Sequence, residues 1–429
     1  MSKFNKTFAG GTPLASSDLN AFVSAHNDTE AELNNVKHSI GYDESGEVHL
    51  NAWGVIIDPN SANSAVETVG NFNFWAAFKE SIGRYQVSND GSKAIKLNPL
   101  NSEEYIDGTP VDHSKGHIMV HVPDLHFRVY ESPTTGKTTL WMSASSLGGH
   151  AIHTSGEGNG SWIGAYLGTS SDSVCFQSRP GSKPLSSKTI NAFFNLAQAN
   201  SKEFGLSDYE QRKLMLMLYL SEYRNLNSQA MLGNGMTGNG DNWAAAENAQ
   251  VGTTASLGDG CGSIPYTDNS SIDGACHVSL FGIEDPYGWY WEMIQGVFFG
   301  SVNNDAQDGT EMFLYEGNRM PDSSELATHP SGEYRQLARL TASNYIYALQ
   351  MGERFDILPS KSGYGGWGDY SYSAPEGQLL LWGANAYPGS YAGLVCSYSV
   401  DAWSASWSIF AARLALYGSP VFVSQPSEM

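Results

Sequence analysis

Residues 17–40 are the first part of the chain in which apolar positions follow a helical period. The segment, SDLNAFVSAHNDTEAELNNVKHSI, begins at a Ser/Asp cap and carries one narrow apolar stripe. The stripe comprises Leu19, Phe22, Val23, Ala31, Leu33 and Val36. Such a stripe indicates self-association or docking onto a partner, and the alternative is a helix packed on its own domain. Because Gly41 and Gly46 end the pattern, residues 1–45 are predicted to be an N-terminal helical segment for attachment or oligomerisation.

From residue 46 to residue 180 the pattern changes to short runs of β-branched, aromatic and other apolar residues. The clearest runs are GHIMVHVPDLHFRVYES (116–132) and KTTLWMSAS (137–145), which overlap the turn sequence SPTTGK. This part of the chain is therefore predicted to be mostly strand and turn.

Residues 181–429 combine helical and strand patterns. The two clearest helices are 187–199 and 207–224, each opening with Ser, and Glu210 stands three residues after Ser207 as in a capping box. A Gly/Asn/Asp/Ser-rich region, 232–273, is better explained by ordered loops than by a hairpin. Strands are predicted in HVSLFGI, WYWEMIQGVFF, EMFLYEG, QLLLWG and RLALYG. Two main helices among short strands and long ordered loops predict an α+β fold.

Composition narrows the classes of function. Charged residues make up 16% of the 429 and the net charge is −21, so we expect no electrostatic binding to nucleic acid or anionic lipid. No apolar run approaches the roughly 20 residues that span a bilayer, so no membrane insertion is expected. The first twenty residues lack a secretory signal, which predicts a protein made in a cytoplasm and not exported by that route.

The cysteines and the glycine motifs do not indicate a cofactor. Cys175, Cys261, Cys276 and Cys396 have neither CxxC nor zinc spacing, which predicts free thiols; a disulfide between Cys261 and Cys276 is the alternative. The GxGxxG in LGNGMTG follows a helix, whereas a dinucleotide site needs a preceding strand. The phosphate-loop-like TTGKTT has Glu131 where the first glycine is required.

Polar clusters give no catalytic or metal site either. His113, His117, His121 and His126 lie on one segment and could form a metal site across a symmetric oligomer, although half-buried strand histidines are commoner. No Ser/His/Asp trio or carboxylate pair has spacing that singles it out. We therefore predict no catalytic residue, no metal ligand and no cofactor.

The segment FGIEDPYGWYWEMIQGV (281–297) carries a recognisable pattern in Gly282, Glu284, Gly288, Trp291 and Glu292. It resembles GxEnxxGNxWEW of the formylglycine-generating-enzyme-like branch of the C-type lectin fold. VHVPDLHFRVY, GSWIGAYLG, EYRNLNSQAMLGNG and AARLAL resemble blocks of gut-phage tail proteins with that fold, so the resemblance spans about 48–416. It implies a lectin-like region in which 46–180 is the β-rich first part and 181–429 is the core, with a C-terminal variable binding face. It also implies scaffold roles for Glu284, Gly288, Trp291, Trp403, Trp407 and Arg413.

Many members of that family are variable proteins of diversity-generating retroelements, in which adenines of Asn codons are rewritten. Such changes never yield Lys, Glu, Gln, Met or Trp, and 383–411 contains none of the first four. The resemblance implies a variable, ligand-binding face made of Asn385, Tyr387, Pro388, Tyr391, Cys396, Tyr398, Ser399, Val400, Asp401, Ala405, Ser408, Ile409 and Phe410. An aromatic, Ser-rich, nearly uncharged stretch is also what a protein-binding surface requires. The alternative is a terminal β-meander whose aromatic residues are core.

The function implied by the resemblance is a phage virion protein, at the tail tip or a fibre, that binds a bacterial cell-surface receptor, either protein or glycan. Relatives with this role are often homotrimers that contact other virion tail proteins, and three copies raise avidity. The implied protein is not an enzyme. One alternative is an enzyme of the formylglycine-generating-like superfamily, although Cys396 has no second cysteine near it in the sequence. The other is a calcium-dependent sugar-binding lectin, although EDP and WGD resemble the calcium-site tripeptides of such lectins only superficially.

Overall fold

The computed structural model describes residues 51–170, 174–237, 243–267, 274–300, 311–315, 317–321, 334–338, 343–374, 378–386 and 391–429. The helix predicted within 1–45 and two of the predicted face residues, Tyr387 and Pro388, lie outside these ranges. In the described part the fold is mixed α/β and mostly strand, with few helices. None of the described helices is long and apolar enough to cross a bilayer.

The helices are α1 (Phe72–Lys79), α2 (Ile190–Gln198), α3 (Tyr209–Tyr223), α4 (Ser228–Leu232) and α5 (Trp243–Ala246). The strands of the first half are β1 (Trp53–Ile57), β2 (Glu67–Gly70), β3 (Gly83–Ser88), β4 (Lys93–Asn98), β5 (Asn101–Tyr105), β6 (Gly116–Val122), β7 (Leu125–Glu131), β8 (Thr138–Ser143), β9 (His150–Ile152), β10 (Ser161–Leu167) and β11 (Phe204–Leu206).

The strands of the second half are β12 (Gly262–Pro265), β13 (Cys276–Leu280), β14 (Ile283–Glu284), β15 (Trp291–Met293), β16 (Val297–Gly300), β17 (Glu311–Tyr315), β18 (Tyr334–Ala338), β19 (Ser343–Leu349), β20 (Pro359–Ser362), β21 (Tyr370–Ser373), β22 (Leu381–Trp382), β23 (Ser397–Ser399), β24 (Phe410–Ala411), β25 (Arg413–Leu416) and β26 (Val421–Val423).

Three large sheets organise the described residues. A five-stranded sheet has the order β2-β1-β8-β7-β9, and an eight-stranded sheet has the order β11-β25-β10-β6-β3-β4-β26 with β5 beside β4. A seven-stranded sheet, β20-β19-β21-β23-β22-β15-β24, belongs to the C-terminal half. β25 pairs with β10 and β26 pairs with β4, so strands from before and after position 180 share one sheet.

Helix α3 is buried among the residues that the structure describes. Twelve of its fifteen residues are buried, including Arg212 and Lys213, so it is enclosed on all sides rather than half-exposed. The run MLMLYL supplies the apolar contacts. The sequence places α2 and α3 well, but both caps differ from the prediction.

The residues that cap these helices are not the predicted serines. In α3 the Asp208 carboxylate accepts from the Gln211 N–H at 2.9 Å, and Ser207 lies one residue before the cap. Glu210 does not complete a capping box; its carboxylate lies 2.7 Å from Lys213 Nζ. In α2 the cap is Thr189, which accepts from the Ala192 N–H, rather than Ser187. Ser, Thr and Asp cap about equally well, so a sequence with several of them does not fix which residue caps.

The cap of α3 gives a pH-dependent contribution to stability. Burial raises the pKa of Asp208 to about 6. The Tyr417 hydroxyl has one proton but lies 2.9 Å from the Leu206 carbonyl and 3.1 Å from Asp208 Oδ2, so a protonated Asp208 supplies the second hydrogen bond. Because the folded state holds this proton to higher pH than the unfolded chain, the contribution of Asp208 to stability is present below pH 4 and is lost as the pH rises through 6.

We expect Asp208→Asn to remove this dependence, because asparagine caps a helix and carries a permanent donor. The stability of the variant relative to the parent should rise by about 2 kcal/mol between pH 4 and pH 7. Urea unfolding of both proteins at several pH values measures this difference and cancels the titration of all other groups. Parallel pH profiles would show that Asp208 titrates normally in the folded protein.

Candidate functional site

Two strands of the C-terminal sheet place tyrosines on one face and serines on the other. β21 (YSYS) and β23 (SYS) pair in parallel, with Ser371 opposite Ser397, Tyr372 opposite Tyr398 and Ser373 opposite Ser399. Side chains alternate between the faces of a strand, so the tyrosines fall together and the serines fall together. All four serines are buried, and their hydroxyls lie 3.2–3.3 Å apart across each pair. The serine face fixes the register, and the tyrosine face points away from it.

The tyrosines of this face join others from neighbouring segments into what we call the tyrosine patch, defined as Tyr345, Tyr364, Tyr370, Tyr372, Tyr391 and Tyr398. Their rings follow one another continuously. Ring centroids are 5.8 Å apart for Tyr398–Tyr372 and 4.5 Å for Tyr372–Tyr370. They are 4.6 Å apart for Tyr370–Tyr391, 5.5 Å for Tyr391–Tyr345 and 4.6 Å for Tyr345–Tyr364. Because the rings touch, they form a surface rather than a cage around a small ligand.

The tyrosine patch is accessible to solvent. Tyr364 is 79% exposed, and the other five side chains are half-buried. Burial raises the pKa of Tyr398 to about 12 and raises the pKa values of Tyr370 and Tyr372, so these hydroxyls are neutral hydrogen-bonding groups near pH 7. A contiguous exposed aromatic surface with neutral hydroxyls is typical of an interaction site.

A buried turn supports the patch from below. The Asp369 carboxylate, one residue before Tyr370, accepts from the Val395 N–H at 2.7 Å. The Leu394 N–H donates to Ser228 Oγ at 3.0 Å, and the Trp382 indole donates to the Leu394 carbonyl at 2.5 Å. A Cβ atom at Gly393 would lie 2.1 Å from the Asp369 carboxylate, so only glycine fits there. These bonds hold Tyr391 against Tyr370.

Glu292 of the 281–297 segment and the predicted scaffold residue Arg413 belong to a buried polar network. Glu292 contacts both Arg212 and Arg413, and the Arg413 Nε–Glu292 Oε2 distance is 3.3 Å. Arg413 also donates to the carbonyls of Gly164, Ala165, Glu284 and Asp285 at 2.8–3.2 Å. The network therefore ties together β10, β14, β15 and β25.

The other predicted scaffold residues divide into buried and exposed. Glu284 and Trp291 are buried, and Gly288 has φ +83 with a virtual Cβ 3.1 Å from Gly235 Cα. Trp403 is buried against Phe298. Trp407 differs from the prediction because it is 59% exposed, and its indole donates to the Asp401 carboxylate at 3.0 Å. Trp407 therefore belongs to the surface near the predicted face rather than to the scaffold.

The structure separates the predicted face residues into accessible and buried groups. Tyr391 and Tyr398 belong to the tyrosine patch, and Ser408 is exposed. Half-buried positions are Val400, Asp401, Ala405 and Ile409. Contrary to the prediction, four of the face residues are buried: Asn385, Cys396, Ser399 and Phe410.

Each buried residue has a structural reason to be inside. Asn385 forms a β-bridge with Trp289, and Phe410 pairs with Trp291 in the C-terminal sheet. Ser399 belongs to the serine face, and Cys396 has no exposed surface. A partner cannot contact these side chains without opening the sheet.

Sequence reasoning missed Tyr345, Tyr364, Tyr370 and Tyr372. The signal that could have found two of them is the Tyr/Ser alternation in DYSYS, which matches the alternation in CSYSV. The same period on two segments predicts two strands that expose tyrosines on a common face. Nothing local indicated Tyr345 or Tyr364.

One group among the described residues, His277, Glu284 and Asp285, has its potential metal-ligating atoms within 4.8 Å of one another. All three residues are buried, and His277 Nδ1 lies 2.6 Å from Asp285 Oδ2. Asp285 also accepts from the Val278 N–H, and Glu284 accepts three hydrogen bonds from Gly252 and Thr254 at 2.7 Å. These contacts explain the three residues as a buried structural network.

The four histidines of the segment 113–126 are a separate set. Of these, His113 pairs with Glu103 at 2.8 Å, and His121 packs edge-on against Tyr85.

The cysteines are all free, so the alternative disulfide between Cys261 and Cys276 is not formed. Burial raises the pKa of Cys261 to about 12 and raises the pKa values of Cys276 and Cys396. We expect a thiol reagent at pH 8 to react rapidly with Cys175 alone and with all four thiols after unfolding. Rapid labelling of a second cysteine in the folded protein would instead indicate a reactive pair of the kind that the enzyme alternative requires.

No protein-family model matches the chain, and a search of curated proteins finds no match. The chemistry of the tyrosine patch is therefore the observation that bears most directly on function.

Proposed function

We propose that this protein is a phage virion protein, at the tail tip or a fibre, that binds a receptor on the bacterial surface through the tyrosine patch. The observation that carries the proposal is the patch itself: six touching tyrosine rings held on a serine-backed sheet. Tyrosine gives a large amphipathic contact area at low entropic cost because its side chain has two rotatable angles. Buried ion pairs and hydrogen bonds below the patch limit the ordering that binding requires.

The patch combines residues inside and outside the stretch that resembles a variable region. Tyr391 and Tyr398 lie inside it, whereas Tyr345, Tyr364, Tyr370 and Tyr372 lie upstream. We propose a C-type-lectin-like fold in which the upstream tyrosines are constant and the C-terminal positions are diversified. Val400, Asp401, Ala405, Ser408 and Ile409 would then vary beside a fixed aromatic surface. The constant tyrosines would retain a general affinity for receptors, while the diversified positions would change which receptor is bound.

The remaining parts of the proposal concern assembly. Residues 1–45 would join the protein to other tail proteins or to sister subunits, as a homotrimer made in the host cytoplasm and carried in the virion. Three patches on one particle would convert moderate affinity into tight attachment. The proposed activity is binding rather than catalysis and uses no cofactor.

Binding to cells tests the proposal. Fluorescently labelled protein should stain a subset of bacterial isolates saturably, and excess unlabelled protein should compete with the staining. Heat-unfolded protein serves as the control for non-specific adhesion. Equal staining of every isolate, or staining that unlabelled protein does not reduce, would contradict receptor recognition.

The neighbouring DNA tests diversification separately. We expect a near-copy of the sequence that encodes 383–411, differing from it mainly at adenines, beside a reverse-transcriptase gene. Sequencing of the genome that carries this gene decides the matter. Differences spread over all four bases would contradict the proposed diversification but would not contradict the proposed receptor binding.

A further inference from the structure

Asp401 and Trp407 form a surface pair at one end of the tyrosine patch. The Trp407 indole N–H donates to Asp401 Oδ1 at 3.0 Å, and the Tyr398 hydroxyl donates to the same carboxylate. Because Tyr398 is the last ring of the patch, its hydroxyl connects the pair to the row of tyrosines. The pair therefore extends the same exposed surface and adds a carboxylate that the six tyrosines lack.

The Asp401 carboxylate has no positive partner in the part of the chain that the structure describes. Both of its side-chain contacts are with neutral donors, whereas a carboxylate can accept about four hydrogen bonds. The side chain is half-buried, so it is only partly surrounded by water. A cation that approached Asp401 would find free acceptor positions and no competing lysine or arginine among the described residues.

Backbone hydrogen bonds fix the position of the pair. The Asp401 carbonyl accepts from the Gln378 N–H at 2.9 Å and from the Leu379 N–H at 3.1 Å. The Trp407 carbonyl accepts from the Phe410 N–H at 3.1 Å. The carboxylate and the indole are therefore held in place before a partner arrives, which lowers the entropic cost of binding.

The Trp407 ring is open to a partner. Its side chain is 59% exposed, and its neighbours in the chain are small and also exposed, namely Ala402, Ser404, Ser406 and Ser408. The indole N–H lies in the plane of the ring, so the Asp401 carboxylate sits at the ring edge and leaves the ring faces uncovered. A planar guanidinium group can stack on such a face and direct its N–H groups to the carboxylate, and tryptophan is the ring that attracts cations best.

We propose that Asp401 and Trp407 bind an arginine side chain of the receptor, and that the receptor is accordingly a protein rather than an anionic glycan. The carboxylate would pair with the guanidinium, and the indole would stack on it. The net charge of −21 attracts a basic protein surface and repels the phosphates or carboxylates of an anionic glycan. The statement about the receptor rests on the proposed function, whereas binding of an arginine side chain can be measured without cells.

Saturation-transfer NMR on the full-length protein tests the pair with N-acetyl-argininamide at millimolar concentration and low ionic strength. N-acetyl-citrullinamide is the matched neutral probe, because its urea group has nearly the shape of a guanidinium without the charge. The argininamide should bind at least about fivefold more tightly than the citrullinamide. Asp401→Asn should remove most of this difference, and it keeps an acceptor for the Trp407 indole. Trp407→Leu should also weaken argininamide binding, and it provides a second variant if the first disturbs folding.

Asp107→Asn is the control variant. It changes the net charge by the same amount at an exposed aspartate in the turn after β5, where Asp107 accepts from the Thr109 N–H at 2.9 Å. Its affinity for argininamide should equal that of the parent. Equal binding of the two probes to the parent, unchanged argininamide binding in Asp401→Asn, or an equal loss in Asp107→Asn would each overturn the arginine site.

Cells test the receptor class. On an isolate that the parent stains, Asp401→Asn should bind about fivefold or more weakly than Asp107→Asn, and modification of cell-surface arginines with phenylglyoxal should remove most of the staining. Equal binding of the two variants, or staining that survives phenylglyoxal, would show that the receptor is not recognised through arginine and would leave the proposed receptor binding standing. If the parent stained no isolate, the proposed function would fail, and the NMR result would still decide the arginine site.

Discussion

Replacing Glu292 by alanine is expected to lower the free energy of unfolding by about 3–5 kcal/mol. Glu292 is the shared partner of Arg212 and Arg413, whose side chains are 1% and 0% exposed. Removing the carboxylate leaves two buried guanidinium groups beside each other with no counter-charge. Water cannot solvate them unless the sheets separate, so the penalty appears as lost stability.

Chemical denaturation at 25 °C measures this loss, with Glu67→Ala as the matched control. Glu67 also pairs with a cation, lying 2.7 Å from Lys137 Nζ, but its side chain is 66% exposed. Exposed pairs contribute about 0–1 kcal/mol, so the control should change little. If the two variants lost equal stability, the buried network would not hold the sheets together as described.

The same change should weaken the support of the tyrosine patch. Glu292 lies on β15, which pairs with β22 and β24, and the neighbouring Trp291 ring lies 5.0 Å from Tyr398. Trp291, which is next to Glu292 in the chain, therefore connects the network to the edge of the tyrosine patch. A rigid network under an adaptable surface allows surface residues to change without unfolding the protein.

The sequence predicts the local elements better than it predicts how they associate. α2 and α3 lie within the predicted helices because their apolar runs and flanking caps are local signals. The caps themselves shift by one or two residues because Ser207 and Asp208 are chemically equivalent candidates. The pairing of β25 with β10 joins residues some 250 positions apart, and no local pattern encodes such a contact.

The site illustrates the same limit. The composition indicates that the C-terminal stretch is a binding surface. The alternation of side chains between the two faces of a strand explains why only part of the stretch is accessible to solvent. Because Tyr398 faces outward on β23, Ser399 must face inward, so a stretch of consecutive candidates cannot all reach solvent. The parallel partner strand β21, which contributes Tyr370 and Tyr372, could be recognised only after its Tyr/Ser alternation was matched with that of β23.

The largest effect on binding is expected from replacing Tyr370 and Tyr391 together by serine, tested on an isolate that the parent protein stains. Their rings lie 4.6 Å apart at the centre of the patch, where each also contacts Tyr345 and Tyr372. Central aromatic residues of an interface typically contribute about 2 kcal/mol or more each, which is about thirtyfold in affinity.

The double variant should therefore bind at least about a hundredfold more weakly than the parent. Its loss of affinity should be smaller than the product of the two single-variant losses, because the two rings support each other. Titration of labelled protein on cells measures the affinity, and an unchanged denaturation midpoint shows that folding is intact. Tyr130→Ser is the matched control, since Tyr130 is a half-buried tyrosine on β7 outside the patch. If the double variant bound as tightly as the parent, the receptor site would lie elsewhere, because contact with the patch requires these central rings. The same would follow if Tyr130→Ser lost as much affinity as the double variant.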